Sequence, residues 1–211
     1  MKNKINLLIF DFDGTLFDTS LDIANAINHV RRKLGMEILD KEVIWNYTGD
    51  GLLNTVIRSF PELKDEETST VYLNVLKYYE EHSGEFSKPI DDVLAFIEKD
   101  THRKIILSNK NLKPMLKVLE RFNIKEKFEK IYGFDSLPYF KPDPGTVSII
   151  LQETGTKRDE VALIGDADQD VLTAKNAKIK CYIIPSKKIT VDYPYTKFSN
   201  YFELEKLLEK N

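Results

Sequence analysis

Five short apolar runs, at residues 5–10, 104–107, 130–132, 161–164 and 181–184, recur along the chain with helix-like patterns between most of them. Runs this short and this apolar suit strands covered on both faces, and their alternation with helices implies a doubly wound parallel sheet. PIDDVLAFIEKD sets Val93, Leu94 and Ile97 on one face, with Pro89 suited to a first helical turn. NLKPMLKVLERFN repeats the pattern with Met115, Leu116, Leu119 and Phe122, and PGTVSIILQETG ends on Gly155, a helix stop. One interval breaks the alternation. From Asp18 to Ser87 only helical segments occur: SLDIANAINHVRRKLG, GLLNTVIRSF stopping before Pro61, and STVYLNVLKYYEEHSG stopping at Gly84. That interval is too long for an ordinary connection. The chain is therefore expected to be an α/β protein with a Rossmann-like core at 1–17 and 88–211. An all-helical cap at 18–87 is inserted after the first strand.

Composition narrows the function classes. A formal net charge of -3 and a pI near 5.7 argue against a general nucleic-acid binder, which would show a basic excess. The single cysteine, Cys181, has no partner for an internal disulfide and reads as a small hydrophobe in a strand. MKNKINLLIF has a basic start, but its apolar run is too short for a signal peptide or a membrane span. A cytoplasmic protein, monomer or homodimer, with no membrane or nucleic-acid partner is expected.

The polar residues that follow the apolar runs carry the chemistry. The first run leads into DFDGT, with Asp11 and Asp13 only two residues apart. Like charges about 4 Å apart repel by roughly 4 kcal/mol at an effective dielectric near 20, so something must compensate them. Ser108, Asn109 and Lys110 follow the second run; Lys141 opens KPDP; GDADQD, with Asp166 and Asp170, follows the fourth run. In parallel α/β sheets such loops share the ligand-binding edge, and an insertion after the first strand is placed to cover it. Singly, each motif also reads as a turn or a helix cap. All four in this order favour a site. His29, His82 and His102 show no ligand spacing and read as solvated or packing residues, and Trp45 reads as core.

DFDGT, SNK, KPDP and GDADQD, in that order and with a closing NYFELEKLL helix, resemble the haloacid dehalogenase superfamily. The similarity is to its phosphatase branch with a helical cap, near the phosphoglycolate phosphatases. The resemblance implies Asp11 as nucleophile, giving an aspartyl-phosphate, and Asp13 as general acid and base. It implies phosphate contacts from the backbone around Phe12, Asp13 and Gly14, from the Ser108 hydroxyl, from the Asn109 N–H and from Lys141. Thr15 is expected to buttress Asp13. A Mg²⁺ ion would be held by Asp11, Asp166 and the Asp13 carbonyl, with Asp170 ligating directly or through a water. In the cap, residues 47–60 resemble a substrate loop: Thr48 and Gly49 face an anion, and Arg58 either reaches a substrate carboxylate or stays a surface arginine. The substrate would be a small phosphorylated metabolite. A sugar-phosphate mutase is the alternative enzyme; a phospho-aspartate receiver or an inactive binding module is more remote, because Lys141 precedes Asp166 and no motif residue is missing.

Overall fold

The computed structural model describes residues 4–209. The first half of the chain forms β1 (Leu7–Phe10), β2 (Phe17–Asp18), α1 (Ser20–Lys33), α2 (Lys41–Asn46), α3 (Leu52–Ser59), α4 (Asp65–His82) and β3 (Lys88–Pro89). Then come α5 (Val93–Lys99), β4 (Arg103–Leu107), α6 (Leu112–Arg121), β5 (Lys130–Tyr132) and α7 (Pro144–Thr154). The chain closes with β6 (Val161–Gly165), α8 (Asp168–Ala177), β7 (Lys180–Ile183), β8 (Thr196–Lys197) and α9 (Tyr201–Glu209).

Six strands make one parallel sheet in the order β5-β4-β1-β6-β7-β8. All five apolar runs are strands in it, and β8 adds an edge too short and polar to be read from the sequence. Successive β1 residues point to opposite faces. Leu7 and Ile9 pack with Val147 and Ile150 of α7 and Val171 and Ala174 of α8. Leu8 and Phe10 pack with Val93 and Phe96 of α5, Met115 of α6 and Leu204 of α9. Each such side chain contributes about 1.5–3 kcal/mol when fully buried. Because β1 lies between β4 and β6, the chain reverses direction across the sheet beside it, and the crevice beyond its carboxyl end is the natural ligand position.

Between β2 and β3 lie four helices with an apolar cluster of their own, built on Ile23, Ile27, Val30, Ile44, Val56, Val71 and Val75. β2 and β3 pair antiparallel, Phe17 opposite Pro89 and Asp18 opposite Lys88, so the outgoing and returning chains run side by side. This corrects the reading of Pro89 as a helix start. Ile90 still donates its N–H to the Leu16 carbonyl at 3.0 Å, and Asp92 adopts a left-handed φ of 66°, so α5 begins only at Val93. Asp22, buried in the first turn of α1, accepts hydrogen bonds from Gly84 N at 3.0 Å, Phe86 N at 2.9 Å and the Ser87 hydroxyl. It ties the start of the helical unit to its end.

Candidate active site

The carboxyl ends of β1, β4 and β6 bring together residues far apart in sequence. Asp11 leaves β1 with its N–H on the Ile164 carbonyl of β6 at 2.9 Å. Lys141 reaches it from the loop before α7, its Nζ 2.8 Å from Asp11 Oδ1 and 2.6 Å from Asp170 Oδ1. Asp170 Oδ2 accepts from the Asp166 and Ala167 N–H groups at 3.1 and 3.2 Å, which closes the turn into α8. Asp166 accepts from Thr15 Oγ1 at 3.2 Å and from the Ser186 hydroxyl. Close approach requires glycine at two points: a Cβ on Gly14 would overlap the Asp166 carboxylate, and one on Gly165 would overlap Asp170.

Asp11, Asp166 and Asp170 each offer an oxygen within 4.8 Å of the others, and all three are buried. Burial, then the neighbouring Asp170 and Asp11, pushes the Asp166 carboxyl well above the usual range. Burial would lower the Lys141 ammonium, but Asp11 and Asp170 hold it above its ordinary value. Burial also raises Asp170, so ionising all three carboxylates beside one ammonium would leave an excess negative charge that the site itself does not neutralise. An all-oxygen donor set with that excess fits a hard divalent cation.

Asp13 faces different partners. Its Oδ1 accepts from Thr19 Oγ1 at 2.6 Å and from Lys110 Nζ at 2.9 Å. The expectation for Thr15 is corrected: Gly14, at φ 81°, turns the chain tightly enough that Thr15 meets Asp166, and Thr19 at the head of α1 supports Asp13. Lys110 also donates to the Tyr79 hydroxyl of α4, a phenol that burial keeps well above its ordinary pKa and therefore neutral. Asn109 accepts from Lys141 N at 2.9 Å and donates to the Lys141 carbonyl at 2.9 Å and the Gly49 carbonyl at 3.2 Å. It fixes the backbone that aims Lys141 and reaches the loop ahead of α3.

These groups line one cavity of about 60 Å³, bordered on one side by residues of the helical unit. Asp11, Asp13, Ser108, Asn109, Lys141, Asp166 and Asp170 border it, as do Thr48 and Gly49. Phe12, Gly14 and Thr15 do not; the Phe12 ring is buried against Phe17. Of the two alternatives for Arg58, substrate contact or surface arginine, the structure has the second. The Arg58 guanidinium holds Asp50 through two hydrogen bonds, at 2.7 and 2.5 Å, and the Tyr47 carbonyl at 2.8 Å, outside the cavity wall. Trp45 packs against the helical unit's apolar cluster and also borders the cavity. Two lysines at the cavity went unassigned in the sequence reading, Lys110 and Lys187. A lysine in a loop ordinarily reads as solvated. The usable signal is position, since both follow apolar runs that become strands of the same parallel sheet.

A family model described as haloacid dehalogenase-like hydrolase matches residues 8–184. A phosphoglycolate phosphatase of Neisseria gonorrhoeae is 29% identical over 181 residues, covering 82% of this chain and 77% of the relative. A phosphoglycolate phosphatase of Aquifex aeolicus is 27% identical over 179 residues, with 83% of each chain covered. The crystal structure of a predicted phosphoglycolate phosphatase from Haemophilus somnus superposes with a TM-score of 0.88 at 20% identity, over 97% of this chain and 98% of that one. CbbY from Rhodobacter sphaeroides, in complex with phosphate, gives a TM-score of 0.79 at 18% identity, over 95% and 96%. At those identities the two structures share the fold.

Proposed function

The chain belongs to the haloacid dehalogenase-like hydrolases, and on that premise we propose that it hydrolyses small phosphomonoesters, phosphoglycolate-like compounds first among them. The observation that carries the reading is the meeting of Asp11 with Lys141, Asp166 and Asp170 inside a cavity that Asp13 also borders. The names of the sequence relatives support the ester class.

In this reading Asp11 attacks phosphorus and the ester oxygen departs, leaving an aspartyl-phosphate. Lys141 places positive charge against Asp11 and the phosphoryl oxygens as negative charge builds. The Ser108 hydroxyl and the Asn109 N–H bind those oxygens. Asp13 protonates the departing oxygen, then takes the proton back from the water that hydrolyses the aspartyl-phosphate. Thr19 and Lys110 keep its carboxylate in place. Such a positioned acid and base is worth about 10²–10⁴-fold. Asp11, Asp166 and the Asp13 carbonyl, with Asp170 ligating or holding a water, would bind Mg²⁺, which supplies charge neutralisation and orients the phosphoryl group. The helical unit at 18–87 acts as a cap over the core formed by 1–17 and 88–211. No helix of the described residues is long and apolar enough to cross a membrane, and the proposed setting is the cytoplasm.

The test is release of inorganic phosphate from a panel of phosphorylated metabolites that includes 2-phosphoglycolate. Turnover should stop with EDTA and return with Mg²⁺, and Asp11→Asn should lose it while melting as a folded protein. Turnover that persists in Asp11→Asn would remove the nucleophile and sink the mechanism.

A further inference from the structure

Among the described residues three cations border the cavity, Lys110, Lys141 and Lys187. Two have carboxylate partners: Lys141 lies between Asp11 and Asp170, and Lys110 lies on Asp13. Lys187 has none within 4.0 Å among the described residues. Its ammonium instead donates to the Trp45 carbonyl at 2.6 Å, the Thr48 carbonyl at 2.9 Å and the Thr48 hydroxyl at 3.0 Å. It also sits 4.8 Å from the centre of the Trp45 ring.

We propose that Lys187 is the specificity-determining cation of this site, pairing the carboxylate of a small phosphorylated hydroxy acid whose phosphoryl group meets Asp11. The proposal rests on the phosphatase reading and says which residue selects the substrate. Neutral acceptors orient an ammonium without cancelling its charge, so its field remains available to an anion entering the cavity. Burial already disfavours the charged form of Lys187, and the more distant Asp166, Asp13 and Asp50 oppose that only in part. A bound carboxylate would supply the missing countercharge.

Position supports the role. Lys187 lies in the loop after β7, on the sheet edge that carries the acidic group, and its neighbour Ser186 donates to Asp166. The loop is thus fixed to the reacting centre at one residue while the next meets the cap. Lys187 lines the same cavity, of about 60 Å³, as Asp11, Asp166 and Asp170, so an anion beside the phosphoryl group would lie within its field. Arg58, the other candidate for a substrate carboxylate, is occupied by Asp50 outside the cavity wall.

The experiment compares 2-phosphoglycolate with ethyl phosphate, an ester of similar size without the carboxylate. The ratio of their kcat/KM values is measured for the unaltered chain, Lys187→Met and Lys187→Arg. Lys187→Met should lower the ratio about 10- to 100-fold, chiefly through KM for the carboxylated ester, as loss of one desolvated charge pair would. Lys187→Arg, which keeps the charge, should recover much of it, and thermal melts establish that both variants fold. Equal losses on both esters would overturn the proposal and leave Lys187 a fastening for the cap. An unaltered chain that hydrolyses both esters without preference would also overturn it, with the phosphatase reading intact. Hydrolysis of no ester in the panel would overturn both.

Discussion

The sheet and the helical unit above it are held together by different physics. On the sheet, two apolar clusters fill both faces, and the acidic residues stand on strand ends that cannot shift without disturbing them. The helical unit has its own cluster, drawn only from residues 23–79 and those packed on it. Many of the bonds between the two are polar: Lys113 with Glu80, Lys117 with the Glu80 and Glu81 carbonyls, Lys110 with Tyr79, Asn109 with Gly49, and Lys187 with Trp45 and Thr48. Exchanging such a bond for water costs about 0.5–1.5 kcal/mol net, far less than exposing the core. On the proposed function the difference teaches how the labour would divide: preorganisation would belong to the sheet, and access to a unit whose fastenings can be exchanged.

The strongest way to break that comparison is to disturb the sheet's side of the site. Lys141→Met removes the one ammonium set between Asp11 and Asp170. If the reacting charge is stabilised there, kcat should fall about 10²–10³-fold. KM should change much less, because the cap contacts are untouched. Steady-state kinetics on the best ester of the panel reads this directly. A variant within threefold of the unaltered chain would mean that the strand-end cluster is not the reacting centre.

A smaller effect is expected at the join. Asp22 holds Gly84, Phe86 and Ser87, where the helical unit returns to the core. Asp22→Ala would leave the buried Gly84 N–H and Ser87 hydroxyl, and the part-buried Phe86 N–H, without their acceptor, at a cost of about 1–3 kcal/mol. Urea unfolding should show that loss. The kcat of the folded variant should stay within a few-fold, since Asp22 is not among the residues bordering the cavity. Loss of turnover without loss of stability would contradict the division between sheet and cap.

The sheet's part was legible because it is local. An apolar run followed by an acidic, hydroxyl or lysine residue specifies a strand and what stands at its end, so Asp11, Ser108, Lys141, Asp166 and Asp170 could be named without coordinates. What escaped depends on which chains meet. Thr15 and Thr19 are four residues apart on either side of a tight turn, and only the turn's geometry decides which one meets Asp13. Arg58 sits one helical stretch beyond Asp50, and their mutual attraction outcompetes the cavity. Lys110 becomes buried, and Lys187 half-buried, only when Tyr79, Trp45 and Thr48 arrive from a unit distant in sequence. Pro89 fitted a helix start by local preference, but pairing with Phe17 assigned it to a strand.

The gentlest test lies at the far end of the sheet from the site, where stability can be moved without touching chemistry. Asp100 accepts from the His102 N–H at 3.0 Å, lies 2.8 Å from the His102 ring Nδ1 and 3.1 Å from the Lys104 ammonium. Burial alone would raise its pKa, but the bonds from His102 and Lys104 outweigh it and hold the carboxyl below the usual range. A carboxyl depressed on folding adds stability above its unfolded pKa, near 3.9, and loses it as pH falls through the folded value. Asp100→Asn should therefore cost about 1 kcal/mol in urea unfolding at pH 7, with the gap to the unaltered chain narrowing below about pH 4. Phosphate release should be unchanged. A gap that stays constant down to pH 3 would show that the loss comes from altered packing at Asp100, not from its ionised carboxylate, and that the core can be loosened without any electrostatic contribution from this edge.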